Sequence, residues 1–351
     1  MKIAHLLSGG VDSSLALKLL KDQGHDITAY YLKIWLEDDL HFLGDCPWQD
    51  DLEYVRSTCE LLGIPLKVIN MQQEYHDTIV EYALRELKAG RTPSPDVMCN
   101  RHVKFGLFFD KIGGEYEKVS SGHYAQIEER DGKFYLKQSP DPVKDQTYFL
   151  TYLTQKQLSR ILFPIGEFDK NEVRGLAEKY ELPSRARKDS QGICFLGKIK
   201  YRDFVKFHLG IQKGDIIELE TGNILGQHDG YWYYTIGQRQ GLGLGGGPWY
   251  VAKKDTENNI IYISNDKSSG NVPRDKFLVR DINWIPNIPS KTELEVKLRH
   301  GPKKYGCTID MVTENSANVK LNKTDDGIAP GQFAILYQKN YCFGGGIIEL
   351  S

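Results

Sequence analysis

The chain has 351 residues, of which 40% are hydrophobic and 26% charged. This composition excludes a disordered chain and is typical of a folded, soluble protein with two or three domains. The net charge of −2, taken alone, argues against a nucleic-acid partner. No segment approaches the roughly 18 consecutive apolar residues needed to span a bilayer, and "MKIAHLLSGG" is too short for a secretory signal. We therefore expect a cytoplasmic protein with no membrane partner.

Residues 1–195 alternate between patterns that predict strands and patterns that predict helices. The predicted strands are "KIAHLL", "DITAYYLKIW", "PLKVINM" and "EYEKVSSGHYA". The predicted helices are "SSLALKLLKDQG", "DLEYVRSTCELLG", residues 73–88, "TQKQLSRIL" and "DKNEVRGLAEKYEL". This alternation indicates an α/β domain with a parallel sheet covered by helices on both faces.

The segment "SGGVDSS", Ser8–Ser14, lies between the first predicted strand and the first predicted helix. Gly9 and Gly10 allow the backbone to approach a ligand closely, and Ser13 and Ser14 could cap the helix. A helix start of this kind favours an anion. The segment lacks both the Walker A lysine and the G-x-G-x-x-G pattern of dinucleotide sites. An ordinary glycine turn before a capped helix is the alternative interpretation.

After residue 205 the pattern changes to short strands separated by Gly, Asn and Asp. "DIIELETGNILGQHDGYWYYTIGQRQGLG" and "NNIIYISND" predict a small β-rich unit, in which Trp232, Tyr233 and Tyr234 alternate as strand residues of a core. From about residue 275, six further strand candidates indicate a small β-barrel. We predict three domains: the parallel-sheet domain at 1–204, a central β-rich domain at 205–272 and a C-terminal β-barrel at 273–351.

Two of the six cysteines lie in segments that suggest chemistry. Cys99 follows the Pro-rich loop in "SPDVMCNRHVKF", where Arg101 and Lys104 are expected to lower the pKa of its thiol. Cys194 follows "DSQGI" within residues 185–213, which carry a net charge of +6 and could steer a polyanion. Packing remains the alternative for both. The other cysteines, which are Cys46, Cys59, Cys307 and Cys342, are expected to be packing or surface thiols, and none of the six has the C-x-x-C spacing of a zinc ribbon.

Eight motifs together resemble those of bacterial tRNA-specific 2-thiouridylases of the MnmA type, which belong to the PP-loop ATP pyrophosphatase superfamily. In order they are "SGGVDSS", "PDVMCNRHVKF", "SGHYA", "KDQTYFL", "FPIG", "DSQGICF", "YTIGQRQGLG" and "APGQ". The resemblance covers nearly the whole chain. It implies an ATP-dependent tRNA-uridine 2-sulfurtransferase whose first domain is a PP-loop catalytic domain and whose barrel contacts tRNA.

The resemblance also implies the reaction and its partners. ATP and Mg²⁺ would adenylate the 2-carbonyl oxygen of the wobble uridine, and sulfur from a cysteine persulfide would replace it, giving 2-thiouridine, AMP and pyrophosphate. No permanently bound cofactor is expected. The partners would be the tRNA anticodon stem-loop and a sulfur-relay donor protein or cysteine desulfurase. The chain would act as a monomer, with a transient dimer as the alternative.

Residue roles follow from the same resemblance. Cys194 would carry the persulfide, Cys99 would release its sulfur and form a Cys99–Cys194 disulfide, and Asp96 would act on the uracil as general acid or base. The ATP-site residues would be Leu6, Leu7, Ser8, Gly9, Gly10, Val11, Asp12, Ser13, Leu32 and Gly122, with Asp12 also binding Mg²⁺. The tRNA-contacting residues would be Ser94, Pro95, Asp96, His123, Lys144, Asp145, Gln146, Arg299, His300 and Gln332. Ser94, Leu32 and His300 depart from the Asn, Met and aromatic residue common in the family at these positions.

Three alternatives stay open at this point. In the first, Asp96, Cys99 and Cys194 bind an iron–sulfur cluster instead of exchanging a persulfide. In the second, the chain is a PP-loop ligase or amidotransferase that acts on a small substrate. In the third, it is a non-catalytic tRNA-binding protein. The acidic residues 37–60, with a net charge of −7, are expected to face away from RNA or to contact a basic sulfur donor.

Overall fold

The computed structural model describes residues 1–34, 48–189, 200–265, 274–325 and 327–350. Cys46 and Cys194 lie outside these ranges, as do residues 37–47 of the acidic segment. Within them, no helix is both long and apolar enough to cross a membrane.

The first domain is built on a five-stranded sheet with the order β3-β2-β1-β4-β7, and all its pairings are parallel. Its strands are β1 Lys2–Leu6, β2 Asp26–Lys33, β3 Leu66–Asn70, β4 Lys118–Ser121 and β7 Ile161–Leu162. The central strands β1 and β2 are almost wholly buried, because helices cover both faces of such a sheet. The predicted parallel α/β domain is confirmed.

Helices connect these strands. Their bounds are Val11–Asp22 (α1), Trp48–Leu62, Gln72–Tyr75 continuing through Glu81–Lys88, Pro95–Met98 continuing through Phe108–Ile112, Thr147–Leu150, Gln155–Leu158 and Lys170–Lys179. The prediction of one helix over "TQKQLSRIL" is wrong at its end. The helix is a single turn, and Ile161 pairs instead with Val119 of β4. A buried position beside β4 stabilises this apolar pair more than helix continuation does.

The helix that carries Cys99 contains a π-helical segment, Cys99–Leu107. Such a segment is rare and is wound by hydrogen bonds between residues five apart in the chain instead of four. The Gln157 side-chain amide donates to the carbonyl oxygens of Arg101 at 2.8 Å and Phe105 at 2.6 Å. A Cβ at Gly106 would lie 2.9 Å from the Arg101 oxygen, so glycine suits this tight winding. The π segment is therefore held by a side chain from outside the helix.

The central domain contains a helix, Tyr201–Leu209, and a four-stranded sheet with the order β10-β11-β8-β9. The strands are β8 Gly214–Glu218, β9 Ile224–His228, β10 Tyr250–Asp255 and β11 Ile260–Ser264. Residue 204, at which the first domain was predicted to end, lies inside this helix. Trp232 and Tyr234 are buried as predicted, but residues Tyr231–Tyr233 form a 3₁₀ turn rather than a strand.

The C-terminal domain is the predicted six-stranded antiparallel barrel. Its strands are β12 Arg274–Trp284, β13 Glu293–Lys297, β14 Tyr305–Thr313, β15 Ser316–Asp325, β16 Phe333–Gln338 and β17 Tyr341–Glu349. Pairing of β12 with β17 closes the barrel.

An unpredicted hairpin joins the first domain to the barrel. Its strands, β5 Ala125–Arg130 and β6 Lys133–Gln138, leave the parallel sheet, and β6 pairs with β17 where Leu136 lies opposite Cys342. The predicted single strand "EYEKVSSGHYA" therefore ends at Ser121, and a new strand begins at Ala125. This hairpin extends the barrel sheet with residues of the first domain.

Candidate active site

The glycine loop, Ser8–Ser14, connects β1 to α1. Gly9 has φ +79°, and a Cβ there would lie 2.6 Å from the carbonyl oxygen of Asp51, so a larger residue does not fit. Gly10 is the residue that precedes the helix. The prediction that Ser13 and Ser14 cap α1 is wrong, because both lie inside its first turn and donate back to the Gly10 oxygen at 3.1 and 3.0 Å. The loop is thus held internally, and the first N–H groups of α1 have no partner within the helix.

A buried histidine of β1, His5, makes a hydrogen bond to this loop. The Nδ1 atom of His5 lies 2.7 Å from Ser120 Oγ, and Nε2 lies 2.9 Å from the Ser13 carbonyl oxygen. Burial lowers the pKa of His5 to about 4, although the contact with Ser13 acts in the opposite direction. The ring is therefore neutral at pH 7. Because a carbonyl oxygen only accepts, the proton is on Nε2, and Ser120 donates to Nδ1.

Residues 122 and 123, which follow β4, contact both the glycine loop and the helix that carries Cys99. A Cβ on Gly122 would lie 2.6 Å from the backbone nitrogen of Ser13, so only glycine permits this approach. His123 follows, and its ring packs 6.0 Å from Phe105 of the Cys99 helix, measured between ring centroids. Burial, and then the charge of Lys104, hold the pKa of His123 well below its usual value. The predicted ATP-site residues and the cysteine helix are thus neighbours.

Asp96 and Cys99 lie one turn apart at the start of that helix, after Ser94 and Pro95. The Oδ1 atom of Asp96 is buried and has no hydrogen-bond partner among the described residues. Buried polar atoms are rarely left in this way, and a ligand is one common reason. This carboxylate oxygen is available to a substrate atom.

The expectation that positive charge lowers the pKa of Cys99 is wrong for this structure. The side chain is 1% exposed, and burial raises the pKa of its thiol to about 11. Lys104 lowers this pKa and Asp96 raises it, but both effects are smaller than that of burial. The free-energy cost of moving a thiolate out of water is larger here than the electrostatic stabilisation from one nearby ammonium group. Cys99 is a protonated thiol in this conformation.

Asp12 belongs to a group of charged side chains beside the glycine loop. Its Oδ1 atom accepts hydrogen bonds from the Tyr124 hydroxyl and from Lys170 Nζ, both at 2.7 Å. Among the described residues, no three His, Cys, Asp or Glu side chains come together as a metal site. Mg²⁺ often binds proteins through one or two carboxylates while phosphate oxygens and water complete its shell. Asp12 fits that role for a Mg²⁺ that arrives with ATP.

Two of the predicted tRNA-contacting residues on the 144–146 loop face inward. Asp145 is 1% exposed and pairs with Lys297 of the barrel at 2.8 Å, so its side chain does not reach the surface predicted for tRNA. Gln146 accepts a hydrogen bond from the Tyr124 backbone nitrogen at 3.0 Å. Lys144 pairs with Asp189 at 2.5 Å. The carboxylate of Asp145 therefore contacts the barrel in this structure, and a contact of residue 145 with tRNA stays a prediction.

The three predicted tRNA-contacting residues of the barrel differ in their surroundings. The His300 ring stacks on Phe149, with centroids 4.7 Å apart and planes 24° apart. Arg299 pairs with Asp325 at 2.7 Å and remains 57% exposed. The Gln332 backbone nitrogen donates to the Ala329 oxygen, and its side chain is half-buried. Leu32, at the end of β2, is half-buried against the core of the first domain.

Sequence reasoning did not identify several residues that shape this site. They are His5, Tyr124, Gln157, Lys170, Asp189 and Lys297. The acidic segment is also closer to the site than expected, because Asp51 pairs with Arg187, which donates to the Gly9 oxygen at 3.0 Å. Of the six missed residues, three had a local signal: Tyr124 and Asp189 lie in the motifs "SGHYA" and "DSQGICF", and Lys170 follows Asp169 in a D-x-x-E capping box.

The chain is similar to known proteins over nearly its whole length. Three family models match the chain: a tRNA methyl transferase HUP domain at residues 1–198, a tRNA methyl transferase PRC-barrel domain at 202–265 and an aminomethyltransferase beta-barrel domain at 274–348. The chain is similar to the tRNA-specific 2-thiouridylase MnmA of Parabacteroides distasonis, at 43% identity over 99% of both chains. It is 44% identical to MnmA 1 of Bacteroides thetaiotaomicron and 41% identical to MnmA of Porphyromonas gingivalis, again over 99% of each chain.

Proposed function

The chain belongs to the tRNA-specific 2-thiouridylases, and from this premise we propose that it converts the wobble uridine of tRNA to 2-thiouridine through an adenylated intermediate and a cysteine persulfide. The products are 2-thiouridine, AMP and pyrophosphate. ATP and Mg²⁺ bind at the glycine loop, the tRNA anticodon stem-loop binds beside Asp96, and a sulfur-relay protein or cysteine desulfurase supplies sulfur. We place the protein in the cytoplasm.

The first half-reaction makes a leaving group. The uracil 2-oxygen bonds to the α-phosphorus of ATP, the bond between the α- and β-phosphates breaks, and pyrophosphate takes the electron pair. The buried Oδ1 atom of Asp96 is the residue contact that supports this assignment, because it can take up the proton at N3 of the uracil. The base must leave its stack to reach a buried carboxylate, as bases of single-stranded loops do.

The second half-reaction transfers sulfur. The Cys99 thiolate bonds to Cys194 Sγ, the bond to the outer persulfide sulfur breaks, and that sulfur leaves as hydrosulfide. Hydrosulfide attacks C2 of the uracil, and AMP departs with the electron pair of the C2–O bond. Each turnover leaves a Cys99–Cys194 disulfide, which an external thiol must reduce. Because the pKa of Cys99 is raised to about 11 by burial, tRNA binding must expose this thiol or remove its proton.

One observation carries the proposal more than any other. A buried carboxylate oxygen of Asp96, with no partner in the part of the chain that the structure describes, lies one turn before Cys99. Phe105 of the same helix contacts His123, next to the Gly122 approach to the glycine loop. The residues to which we assign nucleotide binding, action on the base and thiol chemistry are therefore neighbours. The role of Cys194, which lies outside the described residues, is supported by the "DSQGIC" motif.

The test is a thiolation assay on a tRNA anticodon stem-loop with ATP, Mg²⁺ and a persulfide donor. Mass spectrometry measures 2-thiouridine, and AMP release is measured in parallel. We expect Cys194→Ser and Cys99→Ala to release AMP without making thiouridine. Cys59→Ala, which removes a buried thiol of the first domain from outside the site, is the matched control and should keep both activities.

Other outcomes favour the alternatives. Thiouridine formation only by anaerobically purified, brown protein would support an iron–sulfur cluster bound by Asp96, Cys99 and Cys194. AMP release by wild type without thiolation, in air and without air, would contradict the persulfide proposal and favour a ligase or amidotransferase. Tight tRNA binding without AMP release would indicate a non-catalytic binding protein.

A further inference from the structure

Three cationic side chains converge on one carboxylate beside the glycine loop. Asp189 is 2.5 Å from Lys144 Nζ, 2.8 Å from Lys170 Nζ and 2.6 Å from a terminal nitrogen of Arg174. Lys170 bridges to the loop itself, because its ammonium group is also 2.7 Å from Asp12 Oδ1. We call Lys144, Lys170 and Arg174 the cation cluster. Even with both carboxylates counted, this group of five side chains keeps one net positive charge.

The placement of Lys170 is unfavourable for a purely structural residue. It is the first residue of the helix Lys170–Lys179, where the helix dipole already places partial positive charge. Its side chain is only 13% exposed, so solvent screens it poorly. The start of α1 lies beside Lys170, because Asp12 in its first turn accepts from this lysine, and the first N–H groups of a helix have no partner within it. Two helix starts and a half-buried cation cluster together favour an anion with several charges.

Asp189 does not leave this position by protonation at neutral pH. Burial raises the pKa of its carboxyl, but hydrogen bonds from Lys144 and Lys170 outweigh burial and lower it to about 2. The carboxylate remains ionised, and only a competing anion can replace it. A carboxylate that accepts from three cations has the bonding pattern expected of a phosphate group.

We propose that the cation cluster binds the β- and γ-phosphates of ATP, and that Asp189 occupies this subsite until the nucleotide displaces it. The inference rests on the proposed function, since it takes ATP as the substrate of the glycine loop. When the uracil oxygen bonds to the α-phosphorus, the electron pair of the broken bond passes to pyrophosphate. Lys170, already beside Asp12, stabilises that charge, as cations do in other phosphoryl transfers. Asp189 returns to the cluster after pyrophosphate leaves and so opposes rebinding.

Inorganic pyrophosphate is the probe, because it occupies this subsite without needing tRNA or sulfur. Calorimetry with the full-length chain in magnesium-containing buffer measures its dissociation constant. Asp189→Asn should tighten pyrophosphate binding by about tenfold, and Lys170→Met should weaken it by about as much, since each changes the net charge of the subsite by one. Asp22→Asn is the control for Asp189→Asn, because it also removes one negative charge from a lysine, Lys18, but at the far end of α1 from the glycine loop. Lys179→Met, at the far end of the Lys170 helix, is the control for Lys170→Met.

Equal tightening by Asp22→Asn and Asp189→Asn would overturn the proposal, because the effect would then be long-range charge alone. Weaker binding by Asp189→Asn would overturn it as well, since Asp189 would then be holding the cations in place for the ligand. Asp189→Ser serves as a second variant if Asp189→Asn does not fold. Failure of the proposed function would be distinguishable from failure of this inference. Wild type would then make no 2-thiouridine, while the dissociation constants for pyrophosphate would still be lowest for Asp189→Asn and highest for Lys170→Met.

Discussion

The ammonium group of Lys297 and the carboxylate of Asp145 lie 2.8 Å apart, and their side chains are 1% and 0% exposed. Asp145 also accepts from Gln138 Nε2 at 2.6 Å and Thr147 Oγ1 at 2.9 Å, and Thr147 Oγ1 is 3.0 Å from the Tyr337 hydroxyl. Lys297 and Tyr337 belong to the barrel, whereas the other three residues belong to the first domain. This buried network sets the position of the barrel, and therefore of His300, relative to Asp96.

Loss of Lys297 should destabilise the protein strongly. Lys297→Met leaves the Asp145 carboxylate buried without a cation, and we expect the free energy of unfolding to fall by about 3 kcal/mol. Urea unfolding followed by fluorescence measures this change. A second substitution, Asp145→Asn, should restore part of the loss. Lys213→Met breaks an exposed pair with Asp229 and should cost less than about 1 kcal/mol. Similar losses for Lys297→Met and Lys213→Met would contradict the role given to the buried pair.

His5 should make stability depend on pH in the acidic range. Its pKa in the folded protein is lowered by burial to about 4 from an ordinary value of 6.5. Between these values the unfolded chain binds a proton that the folded chain does not. Stability present above pH 6.5 is therefore lost as the pH falls towards 4, by a total of about 3 kcal/mol. His5→Gln should flatten this part of the unfolding-energy profile, whereas the same substitution at His25, on the turn after α1, should leave its slope unchanged.

Cys99 should react slowly in the free protein. Since the side chain is 1% exposed and burial raises its pKa to about 11, few molecules carry an accessible thiolate at pH 7.5. We expect iodoacetamide to modify Cys99 at least about 100-fold more slowly in the native protein than in urea. Mass spectrometry of the peptide containing Cys99 gives the rate. Native labelling as fast as in urea would show that Cys99 is exposed in solution, against the structure.

Gly122 should tolerate no side chain. In Gly122→Ala the new Cβ would lie 2.6 Å from the Ser13 nitrogen and 2.7 Å from the Asp12 carbonyl carbon, so the glycine loop must shift. We expect ATP binding, measured by calorimetry, to weaken by at least about tenfold and stability to fall by about 1–3 kcal/mol. Gly114→Ala is the control, since a Cβ there meets no atom within 4 Å. Unchanged ATP affinity in Gly122→Ala would separate this glycine from the nucleotide site.

The sequence predicted the elements whose signal is local. Strands β1 to β3 and the six barrel strands follow from short apolar patterns bounded by turn residues. The hairpin of β5 and β6 was missed although Asp131 and Gly132, both with positive φ, form a two-residue D-G turn between the strands. Its pairing with β17, about 200 residues away in the chain, is a tertiary contact that no local pattern indicates. The predicted helix over "TQKQLSRIL" was longer than the single turn Gln155–Leu158, because the pairing of Ile161 with β4 is a tertiary contact that the local pattern does not show.

The amino-acid sequence by itself determined the α/β-then-β order of the chain, the glycine loop and the motifs that hold Asp96, Cys99 and Cys194. These properties depend on neighbouring residues and on residue identity. Tertiary structure alone decided that Cys99 is a protonated thiol, that Asp145 joins two domains and that Asp189 gathers three cations. The reason is physical: burial changes the energy of a charge more than its sequence neighbours do, and it is set by packing between segments far apart in the chain.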